Sequence, residues 1–182
     1  MDKFRHKYRI DSTRLGNWDY GKNGAYFVTI CTGERECYFG EIVDREMNLS
    51  DMGLIAKNNL LSIKGKFPFA ILDSFVLMPN HIHCVLVIDK KIGDSDNNPI
   101  INDDTDDPFR KNNPMKSENL SKIIRWYKAR TTFEIRKTNP NFSWQSSFYD
   151  HIIKEDNMYK TIINYIENNP MNWDKDKLHK PL

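Results

Sequence analysis

The chain has 182 residues, with 27 Lys and Arg against 25 Asp and Glu for a net charge of +2, and 39% hydrophobic residues. That length gives room for one substantial core and demands no second domain, so residues 1–182 are read as a single domain. No run approaches a membrane span or the apolar core of a signal peptide, and bulk charge by itself does not announce a nucleic-acid binder. Three cysteines, Cys31, Cys37 and Cys84, form no zinc-ligand pattern. Cys31 and Cys84 sit in apolar runs as small buried hydrophobes, which suits a reducing cytoplasm, and a soluble cytoplasmic protein without a membrane partner is expected.

In chain order, the first segment interleaves Lys3, Arg5, Lys7, Arg9 and Arg14 with Phe4, Tyr8 and Trp18. Such an arm can neutralise phosphates and stack on unpaired bases, or can simply be a solvated basic face. Tyr26 to Thr32 reads as a strand, and Glu36 to Leu49 as a hairpin turning near Asp44-Arg45. Ser50 can cap a helix through Ile55, Leu60 and Ile63 that ends near Gly65. Phe69 to Leu77 is a second core strand, and Met78-Pro79-Asn80 turns the chain into the apolar run from His81 to Ile88. Asp89 to Met115 is acidic, with Asn, Gly and Pro and little apolar periodicity, and reads as a loop insertion rather than a domain.

Ser117 or Asn119 then opens a long helix through Leu120, Ile123, Ile124, Tyr127 and Thr131, broken at Asn139-Pro140. This helix carries a second basic and aromatic set, Lys122, Arg125, Trp126, Lys128 and Arg130. Phe142 to Phe148 connects it to a last helix, in which Met158, Ile162 and Ile166 recur at helical spacing and Pro170 sets the stop. Strands and helices in this order predict an α+β domain, an antiparallel β-sheet packed by α-helices.

Two features carry chemistry. A strand alternates its side chains with period two, so His81 and His83 share one face while Ile82 points to the other, into the core. Two imidazoles side by side on a rigid strand can clamp a divalent metal, or can be an ordinary edge or core feature. On the last helix Tyr165 and Asn169 are four residues apart and lie one turn above the other. They can line a cleft, or be an amphipathic tyrosine followed by a C-capping asparagine. A metal held by the two histidines and an amide oxygen could polarise a phosphodiester oxygen and orient it against the Tyr165 phenol. His81 is expected at the surface of a cleft, outside the core. There is no Gly-x-x-x-x-Gly-Lys-Ser/Thr phosphate loop, so no nucleotide cofactor is expected.

The chain resembles the single-tyrosine HUH transposases, specifically the REP-associated tyrosine transposase branch of the insertion-sequence-200-like family. The resemblance is carried by His81-Ile82-His83 and by Asn164-Tyr165-Ile166-Glu167-Asn168-Asn169-Pro170. It extends through Gly24 to Thr32, Phe75 to Asn80, Trp144-Gln145 and Tyr149 to Ile153. It implies a ferredoxin-like HUH fold with the His strand central and the tyrosine helix packed near it. It also implies Mg2+ or Mn2+ on His81, His83 and Asn169, and Tyr165 as the nucleophile that becomes joined to the 5′ phosphate of cleaved single-stranded DNA. Tyr149 and Tyr159 are competing candidates, but neither has an amide four residues later. The implied partner is single-stranded DNA with imperfect palindromic hairpins, processed by a monomer or a homodimer. His151, in a family-like segment, is a candidate for a supporting role. The alternative is a hairpin-binding module that has lost catalysis.

Overall fold

The computed structural model describes residues 22–93 and 119–179, together with two paired two-residue strands, β1 (Lys3–Phe4) and β2 (Lys7–Tyr8). Arg5, Arg9, Ser117 and residues 94–115 of the acidic stretch lie outside the described residues. Strand β3 (Gly24–Cys31) leads through a hairpin, β4 (Gly40–Val43) and β5 (Glu46–Leu49), to helix α1 (Asp51–Leu61) and a short α2 (Ile63–Lys66). Strands β6 (Ala70–Met78) and β7 (His81–Ile88) follow, then a single turn α3 (Lys90–Gly93). Helix α4 (Leu120–Ile135), strand β8 (Tyr149–Ile153) and helix α5 (Asp156–Asn168) complete the order. The main sheet runs β6-β7-β3-β8 and every pair is antiparallel. Taken as β3-α1-β6-β7-α4-β8, this is the βαββαβ pattern of a ferredoxin-like α+β fold.

The sheet's two faces follow from strand alternation. Tyr26, Val28 and Ile30 of β3 and Ile82, Cys84, Leu86 and Ile88 of β7 are fully or almost fully buried on one face. There they meet Ala56 and Leu60 of α1, Ile63 of α2, and Leu120, Ile123, Ile124 and Tyr127 of α4 in one core. The Tyr127 hydroxyl donates to the Ala56 carbonyl at 3.2 Å, tying the two helices together. Thr29, Cys31, His81 and His83 point to the other face, where α5 packs. Strand β7 is therefore buried on both sides, which explains its nearly unbroken apolar run.

Local signals account for most boundaries. The Ser50 side chain accepts from Gly53 N at 3.1 Å, a helix N-cap, and Asn119 does the same for Lys122 N at 3.0 Å. Asp44 and Arg45 both have positive φ, 51° and 67°, as a two-residue hairpin with right-handed strand twist requires. Four expectations need correction. The hairpin strands begin at Gly40, not Glu36. The first helix breaks at Ser62, whose hydroxyl bonds back to the Asn58 carbonyl at 2.8 Å and competes with the helical ladder. Helix α4 ends at Ile135, ahead of Asn139-Pro140, where Lys137 N and Thr138 N turn to i→i+3 bonds with the Glu134 and Ile135 carbonyls. The link to the last helix contains β8, which has only Ile152 buried and so lacks a strong strand pattern.

Gly53 makes a stability prediction. Alanine in place of glycine inside a helix normally stabilises by about 1 kcal/mol. Here a Cβ would overlap the Phe39 carbonyl oxygen, which is itself held by Ser50 N at 2.9 Å. Gly53→Ala is expected to lower the urea midpoint, costing about 1–3 kcal/mol by overpacking; an unchanged or higher midpoint would show that α1 slides to make room. Burial pushes the Cys84 thiol up to about 12, and burial also raises Cys31, while Cys37 is exposed. Iodoacetamide should therefore modify only Cys37 in the native protein, read by peptide mass spectrometry; rapid labelling of Cys84 would mean that β7 opens readily.

Candidate active site and metal centre

The pairing of β3 with β7 sets Thr29 opposite His83 and Cys31 opposite His81, on the face away from the core. Each imidazole is fixed by one hydrogen bond from its Nδ1. His83 Nδ1 lies 2.8 Å from Thr29 Oγ1. His81 Nδ1 lies 2.8 Å from Asn80 Oδ1, and Asn80 spends its Nδ2 on the Arg35 carbonyl (3.2 Å) and the Leu178 carbonyl (2.9 Å). Asn80 Oδ1 can only accept, so His81 carries its proton on Nδ1 and leaves a lone pair on Nε2. Burial, then His83 and Arg35, lower the His81 pKa to about 2. Burial lowers His83 to about 4 against an opposing pull from Asp176. Both rings are neutral at pH 7, the form that binds metals.

The tyrosine helix brings its two nominated residues to the same place. The Tyr165 hydroxyl lies 3.1 Å from His83 Nε2, with the two ring centroids 5.1 Å apart. Phe27 stacks on His83 at 5.2 Å and meets Tyr165 edge-on at 6.1 Å, so the imidazole is held between an aromatic and the phenol. Burial, and then the Asp176 charge, raise the Tyr165 pKa above its ordinary value, partly offset by a hydrogen bond with Asn169. Asn169 is 2% exposed and donates Nδ2 to Asp176 Oδ2 at 3.2 Å. Among the described residues two buried side-chain polar atoms lack any partner, His81 Nε2 and Asn169 Oδ1. A buried unsatisfied polar atom costs about 1–3 kcal/mol, so each of the two needs a physical reason. A divalent cation supplies one, since neutral imidazole nitrogens are metal donors and His81, His83 and Asp176 present ligand atoms close together.

The structure adds a residue that the sequence did not reveal. Ligand atoms of His81, His83 and Asp176 all lie within 4.8 Å of one another. Asp176 follows the 3-10 turn Pro170–Lys175, where no periodicity separates it from the neighbouring Asp174. The competing tyrosines do not join the group. Tyr159 donates to Asp73 Oδ2 at 2.7 Å, and Tyr149 is exposed on β8 opposite Thr29. His151 is exposed on β8 opposite Phe27, on the same sheet face as His83.

The basic helix lies elsewhere. Helix α4 packs on the core face, so Lys122, Arg125, Trp126, Lys128 and Arg130 do not line this pocket. Lys128 Nζ donates to the Gln145 and Ser147 carbonyls, Arg130 pairs with Glu134, and Trp126 packs edge-on against Phe67 at 5.6 Å. Arg125 is exposed. Of the N-terminal candidates, Lys7 falls in β2, and Arg5 and Arg9 lie outside the described residues.

His81 also departs from the expected cleft-surface position, being 0% exposed. Its replacement therefore touches packing as well as ligation. His81→Ala should weaken Mn2+ binding by more than the about 10–100-fold typical of outer-shell changes and lower the melting temperature as well. Isothermal titration calorimetry on the folded variant checks the first, and undiminished Mn2+ affinity would remove His81 from the ligand set.

No family model matches the chain. It is 36% identical over 169 residues to an uncharacterized protein of Haemophilus influenzae strain Rd, with 92% of each chain covered. Among solved structures it is similar to a REP-associated tyrosine transposase bound to a REP hairpin, with a TM-score of 0.58 at 18% identity over 90% of this chain and 74% of that one. The chain thus belongs to the family of the Haemophilus influenzae protein and shares its fold with the REP-associated tyrosine transposase.

Proposed function

We propose that the protein is a metal-dependent, single-strand-specific DNA endonuclease and strand transferase of the transposase type, working through a 5′-phosphotyrosine. The observation that carries this reading is the Tyr165 hydroxyl at 3.1 Å from His83 Nε2, on the helix whose Asn169 Oδ1, like His81 Nε2, has no partner. Mg2+ or Mn2+ bound by His81, His83 and Asn169 would supply Lewis-acid polarisation of a phosphate oxygen. Tyr165 Oη attacks the phosphorus, the Oη–P bond forms and the P–O3′ bond breaks. The phenolic proton is lost, the departing 3′ oxygen gains one, and the 5′ phosphate stays on the protein. Attack by another 3′ hydroxyl reverses the step and reseals a strand without ATP. His81 and His83 remain neutral throughout, Phe27 and Thr29 keep His83 in place, and Asn80 does the same for His81.

A fold neighbour that is bound to a REP hairpin supports hairpin-bearing single-stranded DNA as the substrate class. A cavity of about 540 Å³ opens at the end of β3 where His81 sits, lined by Arg35, Trp144, Gln145, Ser146 and Ser147 among others. Its polar walls suit unpaired nucleotides next to the scissile phosphate. Exposed Arg125 on α4 is a candidate for phosphate contact on the duplex part of a hairpin. Tyr165 reaches His83 of its own chain, a contact that supports a site in cis in either a monomer or a homodimer. Free cysteines agree with work in the reducing cytoplasm.

The test incubates the protein with labelled single-stranded hairpin DNA from repeats of the encoding genome and Mn2+ or Mg2+. A covalent protein–DNA band on a denaturing gel is expected, and it should vanish with Tyr165→Phe or a chelator. Hairpin binding that survives Tyr165→Phe, with no adduct from the wild type in either metal, would instead establish a catalytically silent binding module.

A further inference from the structure

We propose that Asp176 is a positioning residue, whose single carboxylate oxygen sets both the nucleophile and the amide ligand while its charge draws the divalent cation. This rests on the reaction proposed above. Asp176 Oδ2 accepts from Asn169 Nδ2 at 3.2 Å and from the Tyr165 hydroxyl at 3.4 Å. Tyr165 and Asn169 are one helical turn apart, so one acceptor at that height serves both. The consequence for Asn169 is directional. An amide can present either its oxygen or its NH2 group to a given place, and a carboxylate accepts only from the NH2. Asp176 thereby turns Asn169 Oδ1 away from itself, into the buried position where it has no protein partner.

Charge gives the second reason. The three proposed ligand groups, two neutral imidazoles and an amide, offer no net charge to a dication. Asp176 is the carboxylate that lies within 4.8 Å of the ligand nitrogens. A unit charge at such a range and in partly desolvated surroundings is a substantial attraction.

The carboxylate is also held as a functional group needs to be. Its Oδ1 accepts from Leu178 N at 2.6 Å, and its backbone N–H donates to the Trp173 carbonyl at 3.0 Å. The adjacent turn is pinned by Asn80 Nδ2 on the Leu178 carbonyl and by Arg35 Nη1 on the Lys177 carbonyl at 3.3 Å. Asn80 is the residue that fixes the proton on His81, so one amide orients a histidine ligand and anchors the turn bearing Asp176. Trp173, 6.0 Å from the His81 ring and 4.7 Å from the His179 ring, packs the same turn against the site.

The test uses the full chain and three variants, Asp176→Asn, Asp176→Ala and Asp176→Glu, with circular dichroism confirming that each is folded. Mn2+ affinity without DNA, read by electron paramagnetic resonance, should fall about 10–100-fold in Asp176→Asn and at least as far in Asp176→Ala. Asp176→Glu should recover much of it. At saturating Mn2+ the adduct rate of Asp176→Asn, which keeps an acceptor oxygen, should return to near the wild-type rate. Asp176→Ala should stay at least 10-fold slower with its half-saturating DNA concentration unchanged. Wild-type Mn2+ affinity in Asp176→Ala would overturn the proposal, as would equal adduct rates for Asp176→Ala and wild type at saturating metal. A wild type that forms no adduct, yet shows the expected ranking of Mn2+ affinities, would remove the strand-transfer reading and leave Asp176's hold on the cation standing.

Discussion

Strand β7 has to satisfy two environments at once, and the two-residue period of a strand is what allows it. Ile82, Cys84, Leu86 and Ile88 go to the core, and the intervening residues go to the face under α5. A slip of one residue would drive both imidazoles into the hydrocarbon interior and lift Ile82 and Cys84 out of it. The core therefore enforces the site. The hydrophobic burial that stabilises the sheet also dictates which face His81 and His83 occupy, and the antiparallel pairing with β3 supplies Thr29 as the partner that orients His83.

Burying the two histidines makes them useful. In water an imidazole near its ordinary pKa is partly protonated, and a proton competes with a metal. The low-dielectric surroundings disfavour the charged form, so both rings are available as neutral donors. The cost is that every polar atom there must be satisfied. Thr29, Asn80 and Asp176 meet most of that demand, and among the described residues two buried atoms are left over, His81 Nε2 and Asn169 Oδ1. The hydrogen bonds from Thr29 and Asn80 hold both rings in fixed orientations, as a preorganised site requires.

The candidate site was legible in the sequence to the extent that it lies on strongly periodic elements. His81-Ile82-His83 opens a buried strand, and Tyr165 with Asn169 lies on an amphipathic helix, so direction and spacing alone place each pair on a common face. Nothing local brings the two faces together; that depends on sheet order. Strand β8 was not legible because an edge strand with one buried residue, Ile152, carries almost no alternation. Asp176 was not legible because it follows an aperiodic 3-10 turn and gains its role only through contacts with Tyr165, Asn169 and Leu178. The basic residues of α4 show the converse difficulty. Lys128 reads from sequence like a phosphate contact, yet its ammonium caps the carbonyls of Gln145 and Ser147.

The ferredoxin-like order of elements separates the two halves of the site widely along the chain. His83 and Tyr165 are 82 positions apart, and Asp176 comes later still. During synthesis the β3–β6–β7 sheet can pair well before the tyrosine helix has left the ribosome, because β3 and β7 need nothing beyond Ile88 to meet. A nascent or prematurely terminated chain would then display the two histidines without Tyr165 or Asp176. The site is complete only in a chain translated past Asp176, so its two halves report on the folding of the whole domain.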